Sequence, residues 1–178
     1  MSSWDERVAS FWKSADDTQP ELMMKSMRDL VEQCPADDPD ALYEWASVHD
    51  FLGHEEQAVA LYQAALAAGL SGEREPQAIV QLASSLRNIG NPKVAVEILT
   101  GREFDVATVP GAQAFLALAL RDCGRHDEAL QVSLLALART LPLYQRAVVE
   151  YAQSLKGANE KTGDAVEFRS GSTSGGKR

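Results

Sequence analysis

Cys123 and His126 stand three residues apart, a spacing at which a thiolate and an imidazole can share a zinc ion. Gly124 lies between them, however, and no further Cys or His is close in sequence, so a ligand set is not complete. Two acidic pairs, Glu55-Glu56 and Asp127-Glu128, have the residue types for general acid and base work. Each follows a glycine by a few residues, where a carboxylate meets the positive end of a starting helix, and that role accounts for them. The segment "SGSTSGGKR" has the letters of a phosphate-binding loop but no strand before it and no helix after it. No nucleophile has a base at a plausible spacing. The chain is therefore expected to have no catalytic residues, metal or cofactor, and not to be an enzyme.

The elements that would position any site are helices. Apolar residues recur at intervals of three and four: Leu42, Trp45, Ala46 and His49, then Ile79, Leu82, Ala83 and Leu86, then Leu116, Ala117 and Leu120. Four residues after His49, Leu86 and Leu120 comes a glycine (Gly53, Gly90, Gly124), the residue best suited to the left-handed turn that ends a helix. Five residues after each glycine stands an alanine (Ala58, Ala95, Ala129) that opens a second helix and lets the two approach closely. The glycines are 37 and 34 residues apart, the period of a helix-turn-helix array.

At these residues the chain resembles the tetratricopeptide repeat family. The first repeat, 39–72, has Leu42, Trp45-Ala46, His49, Gly53, Ala58, Tyr62 and Ala65. The second, 76–109, has Ile79, Leu82-Ala83, Leu86, Gly90, Ala95 and Leu99. The third, 110–143, has Gln113, Leu116-Ala117, Leu120, Gly124, Ala129, Ser133 and Ala136. Gln113 and Ser133 replace large apolar residues, Ala replaces the glycine after Leu, and the closing proline comes one place late as Pro142. Some bacterial proteins of unknown role look similar from an "FWKSADD"-like start to a "YQRAVVEYA"-like end, so the resemblance extends over residues 5–156. It implies an all-α fold, a right-handed solenoid of antiparallel helix pairs with about nine helices. Residues 1–38 are read as a degenerate N-terminal pair, with Trp4, Val8, Phe11 and Trp12 on one helix face and Thr18 with Glu21 as a capping box around Pro20. Residues 144–156 are read as a C-terminal capping helix, and the Gly- and Ser-rich residues 157–178 as a disordered tail.

The same resemblance implies a concave groove lined by the first helix of each repeat, and a non-catalytic adaptor or scaffold that binds a protein or peptide there. Equivalent places form columns along it: Asp50, Arg87, Arg121; Tyr43, Val80, Ala114; Ser47, Ser84, Leu118; Asp40, Gln77, Gly111. Gln77, Gln81, Ser84 and Asn88 form a polar stripe on the second repeat. Arg87, Asn88, Ser84 and Arg121 are suited to a carboxylate or an extended backbone. Both arginines also sit in the last turn before a glycine, where a cation is favoured without a ligand, and Arg87 has Asp50 as a possible ion-pair partner. The candidate groove residues are Tyr43, Ser47, Asp50, Gln77, Gln81, Ser84, Arg87, Asn88 and Arg121. The Lys and Asn clamp of chaperone-binding relatives is absent, since its places hold Tyr43, Ser47, Val80 and Ser84. Asp40, Glu44 and Asp50 around Tyr43 suit a basic or mixed-charge segment instead.

Composition narrows the partners. The formal charge is −9, and residues 1–72 carry 14 acids against 4 bases, which disfavours nucleic acid and anionic lipid. Cys34 and Cys123 are too few and too separated for a disulfide framework. The start "MSSWDERVAS" lacks the pattern of a signal peptide, so a cytoplasmic location is expected. The rivals to a binding module are a self-associating structural protein, a homodimer paired through Trp4, Phe11 and Trp12, and, after it, a small-ligand sensor or hydrolase in the concave surface.

Overall fold

The computed structural model describes residues 2–155, and among these the chain forms nine helices. They are α1 Trp4–Lys13, α2 Pro20–Val31, α3 Pro39–Phe51, α4 Glu55–Ala67, α5 Arg74–Asn88, α6 Pro92–Thr100, α7 Val109–Asp122, α8 His126–Ala138 and α9 Gln145–Ser154. Each packs on its sequence neighbour. In addition α3 packs on α5 and α5 on α7, so the first helices of successive pairs stand side by side. This is an all-α helical repeat solenoid. The expectation for residues 157–178 lies outside the described residues.

The three glycine turns have one geometry. Gly53, Gly90 and Gly124 have φ of +74°, +86° and +76°. Each donates its N–H to the carbonyl three residues back, and the following residue donates to the carbonyl five back, as in His54 to His49 and Asn91 to Leu86. This pair of bonds uses carbonyls that the helix end leaves unpaired, and only glycine enters the left-handed region without a Cβ penalty. The alanines five residues on are buried, Ala58 and Ala95 completely. In the first pair the space beside Ala58 is filled by Tyr62, which is 0% exposed, with Tyr43, Leu82 and Leu86 around it. The Tyr62 hydroxyl donates to Ser47 Oγ at 3.3 Å, which satisfies a polar group that burial would otherwise strand. In the third pair Ser133 occupies the corresponding place and is exposed, as are Leu130 and Leu137 on the same helix. The polar replacement noted in the sequence thus sits on a face of α8 that no helix covers among the described residues.

Helix α1 carries a reciprocal cap: Ser3 Oγ accepts from Glu6 N, and the Glu6 carboxylate accepts from Ser3 N. Thr18 does not cap α2. Its N–H and hydroxyl both donate to Asp16, and α2 begins after Gln19 with no side-chain cap. The short acceptor two residues back satisfies Thr18 more readily than the helix N-terminus does. The N-terminal aromatics are engaged internally. Phe11 and Trp12 pack beside Met23, Met27 and Val48, and Trp4 Nε1 donates to the carbonyl of Leu30 at 3.1 Å.

A single guanidinium joins α1 to the repeats. Arg74, the first residue of α5, donates through Nε to Glu44 at 3.1 Å and through its two terminal nitrogens to Asp40 at 3.2 Å and Asp5 at 2.8 Å. It also lies over the ring of Trp4, 5.7 Å from the centroid. Glu44 is only 4% exposed, and its other oxygen accepts from Trp12 Nε1 at 2.7 Å. Burial pushes the Glu44 carboxyl above its ordinary pKa despite the Trp12 bond and the nearby cation. Burial also works against the Arg74 charge, but the bond to Asp5 and the charges of Glu44 and Asp40 outweigh it and hold the guanidinium charged.

Two stability outcomes follow from these contacts. Tyr62→Ala should cost about 3 to 5 kcal/mol in urea unfolding through the cavity it leaves, and Tyr62→Phe about 1 kcal/mol through the lost hydrogen bond. Equal losses for the two would mean that packing is not the main term. Arg74→Met should cost about 3 kcal/mol because it leaves Glu44 buried without its cation. Arg74→Lys should cost less, since one ammonium keeps the charge but not the three-way reach.

Candidate functional site

Along α3 the residues Asp40, Tyr43, Glu44, Ser47, Asp50 and Phe51 recur at helical spacing and lie on one side of the helix. They face Arg74, Gln77 and Gln81 of α5, and with Trp12 of α1 and the turn at Ser71–Glu73 they enclose a cavity of about 790 Å³. The helix period explains why a stretch of twelve residues supplies half of its wall. The remainder comes from two elements far apart in sequence.

Hydrogen bonds fix this wall. The Tyr43 hydroxyl donates to Gln77 Oε1 at 3.0 Å and so ties α3 to α5. Burial is the main reason that its pKa is pushed up to about 12, with the Glu44 charge adding to it. Ser47 Oγ donates to the carbonyl of Tyr43 at 2.9 Å. Asp50 accepts from the Ser85 hydroxyl at 2.7 Å, which makes a second bond between α3 and α5. Burial lifts the Asp50 carboxyl above its usual range, Ser85 and the Tyr62 hydroxyl oppose this, and Glu55 adds to it. Trp12 meets Phe51 edge-on with ring centroids 5.9 Å apart, and Phe51 is 49% exposed. Gln81 has its Oε1 enclosed without a hydrogen-bond donor.

The candidate residues from the sequence divide into two groups. Tyr43, Ser47, Asp50, Gln77 and Gln81 are together in the cavity wall. Arg87, Asn88 and Arg121 are elsewhere, at the ends of α5 and α7, and Ser84 is half-buried between the groups. Arg87 Nε donates to Asp122 at 2.6 Å, and Arg121 donates to the other oxygen of Asp122 at 2.9 Å. These cations hold the Asp122 carboxyl below its usual range, the Arg121 bond first. Arg87 also donates to Asn88, which donates to Glu55 at 3.3 Å. The partner of Arg87 is therefore Asp122 and not Asp50, which lies one repeat earlier and is occupied by Ser85. The repeat register aligned Arg87 with Asp50, but a long side chain near the end of α5 reaches the end of α7.

Sequence reasoning missed Arg74 and Trp12 as parts of this site. Arg74 lies in "GEREP", where a proline and acidic neighbours signal a helix start and nothing more. A lone basic residue following a strongly acidic segment was the available signal. Trp12 was read as part of an N-terminal helix pair, and its indole N–H reaches Glu44. His49 packs edge-on against Trp45 at 4.7 Å and near His54 at 5.6 Å, outside the cavity. Cys123 is half-buried at the end of α7, and His126 is exposed at the start of α8. Among the described residues no group of three or more His, Cys, Asp or Glu is placed to hold a metal. No helix there is long and apolar enough to cross a membrane.

The family model described as Tetratrico peptide repeat matches residues 39–155. That span begins at α3 and runs through α9, and α1 and α2 precede it. Such repeats generally mediate contacts between proteins and are typically non-catalytic. No curated protein and no solved structure matches the chain. With a match over most of its length and paired helices that turn at glycine in the same way three times, the chain belongs to the tetratricopeptide repeat family.

Proposed function

We propose that this protein is a non-catalytic adaptor that holds an extended peptide segment of a partner in the cavity between α1, α3 and α5. The observation that carries this reading is the cavity itself: about 790 Å³, with rings, carboxylates and amides on rigid helices. That volume is within the range of ligand clefts, and a mixed apolar and polar wall is what side-chain and main-chain recognition together require. Tyr43, Ser47, Asp50, Gln77 and Gln81 are the contact residues in this reading. Arg87, Asn88 and Arg121 serve the ends of α5 and α7 through Asp122 and Glu55.

Two further features support binding over self-association through the N-terminal aromatics. Trp4, Phe11 and Trp12 already have partners in α2 and α3. Asp50 is half-buried where burial disfavours its charge, and among the described residues no Lys, Arg or His pairs with it. A carboxylate placed so is held by a hydroxyl but has no charge partner in the fold. An adaptor within the cell remains the setting that fits this reading, with neither nucleic acid nor membrane as partner.

Peptides selected from a displayed random heptamer library on the full chain should lose at least 10-fold in affinity with Gln77→Arg, which fills the cavity from an exposed position. Arg121→Glu should leave their affinity unchanged. A selection that enriches no peptide, or peptides indifferent to Gln77→Arg, would remove the cavity as the site.

The pH dependence of Asp50 has a definite sign. Its folded pKa is above the unfolded value of about 3.9, so the folded state binds the proton more tightly. That contribution to stability is full below the unfolded pKa and is lost as the pH rises through the folded value. Asp50→Asn should therefore be as stable as the wild type at pH 7 or more so, and its relative stability should rise from pH 3 to pH 7. Urea titrations at both pH values check this, and a relative stability that falls over the interval contradicts the burial argument.

A further inference from the structure

The donors and acceptors of the cavity wall are unequally spent. Apart from the amides of Gln77 and Gln81, the exposed Ser71 hydroxyl and the second N–H of each terminal Arg74 nitrogen, its side-chain donors are used inside the fold. Trp12 Nε1 is on Glu44, the Tyr43 hydroxyl on Gln77, and Ser47 on a backbone carbonyl. Each of the three nitrogens of Arg74 donates to a carboxylate. Acceptors remain. Asp50 accepts from the neutral Ser85 hydroxyl and has no cation paired with it, and Gln81 Oε1 has no donor. The carboxylates of the wall also outnumber its cation, since Asp40, Glu44, Asp50 and Glu73 stand against Arg74 alone.

This inventory decides the sign of the ligand. An entering anion would meet carboxylates and few available donors, at a cost that burial raises. An entering ammonium or guanidinium would meet a carboxylate whose charge is uncompensated. Beside Asp50, the exposed ring of Phe51 and the edge-on Trp12 form an apolar surface. Such a surface suits the methylene stem of Lys or Arg, and aromatic faces attract the charged head.

Resting on the reading of the cavity as a peptide site, we infer that it selects a basic side chain, Lys or Arg, whose head group is received by Asp50 and whose stem lies across Phe51 and Trp12. Ser85 orients the carboxylate through its Oδ1. The first pair of repeats thus sets the charge of the residue recognised, while Arg74 keeps Asp40 and Glu44 from competing for it.

The test uses the full chain and three heptapeptide pools, identical except for a central Lys, norleucine or Glu, with the other positions randomised and binding read by fluorescence anisotropy. Wild type should bind the Lys pool at least 10-fold more tightly than the norleucine pool and the Glu pool least. Asp50→Asn, which still accepts from Ser85, should bring the Lys and norleucine pools within about 2-fold of each other. Equal binding of these pools by wild type, or preference for the Glu pool, overturns the basic-residue inference and leaves the peptide site standing. A Lys preference that survives in Asp50→Asn overturns Asp50 as the receptor. Failure of all three pools to bind overturns the peptide site itself.

Discussion

The Arg74 guanidinium is the constraint on which the cavity depends. It stands at the first turn of α5 and reaches carboxylates on α1 and α3 that precede it by 69, 34 and 30 residues. A buried carboxylate such as Glu44 is tolerable only with compensating partners, and Arg74 and Trp12 supply them from opposite sides. Because Trp12 belongs to α1 and Arg74 to α5, satisfying Glu44 fixes both helices against α3. The wall of the cavity is thereby set by electrostatics as much as by packing. Helix α1 has its main packing contact with α2, so without this junction its position against α3 would rest on Phe11 and Trp12 alone.

The repeats themselves are held by a simpler rule. A glycine with positive φ turns the chain, a buried alanine brings the paired helices close, and the residue one turn later, when large, fills the space that remains. Where the large residue is Tyr62, its hydroxyl is also used, through Ser47, to place the backbone of α3. Where it is Ser133, the face of α8 is open. The difference between the first and third pairs is thus a difference in what their outer helix has to cover, and it follows from a single position in the pattern.

These short-range rules are why the fold was legible. Gly53, Gly90 and Gly124 and the alanines five residues on are local signals, and apolar periodicity assigns each helix its buried face. The site was legible only in part, because its members meet through tertiary geometry. Tyr43, Ser47 and Asp50 share α3, and Gln77 with Gln81 share α5, so the common face of each set followed from the 3.6-residue period. Arg74 and Trp12 entered from outside that register. Arg87 was aligned with Asp50 by counting repeats, yet its side chain spans forward to Asp122. Counting places Cα positions, and it does not say which way an arginine reaches.

The ends of the three first helices show how the same position can be paired with a charge or left without one. Asp50, Arg87 and Arg121 are equivalent in the repeat pattern. In the second and third repeats the arginines share Asp122, and Arg87 continues through Asn88 to Glu55, so the charge there is consumed in joining α4, α5 and α7. In the first repeat the residue is a carboxylate, and its neighbour across the groove is a serine, which can orient it but cannot neutralise it. Were Ser85 a lysine, the link between Asp50 and α5 would be an ion pair and the carboxylate charge would be neutralised. As a serine, it leaves an anion held in place beside two aromatic rings, at the boundary between the first and second repeats.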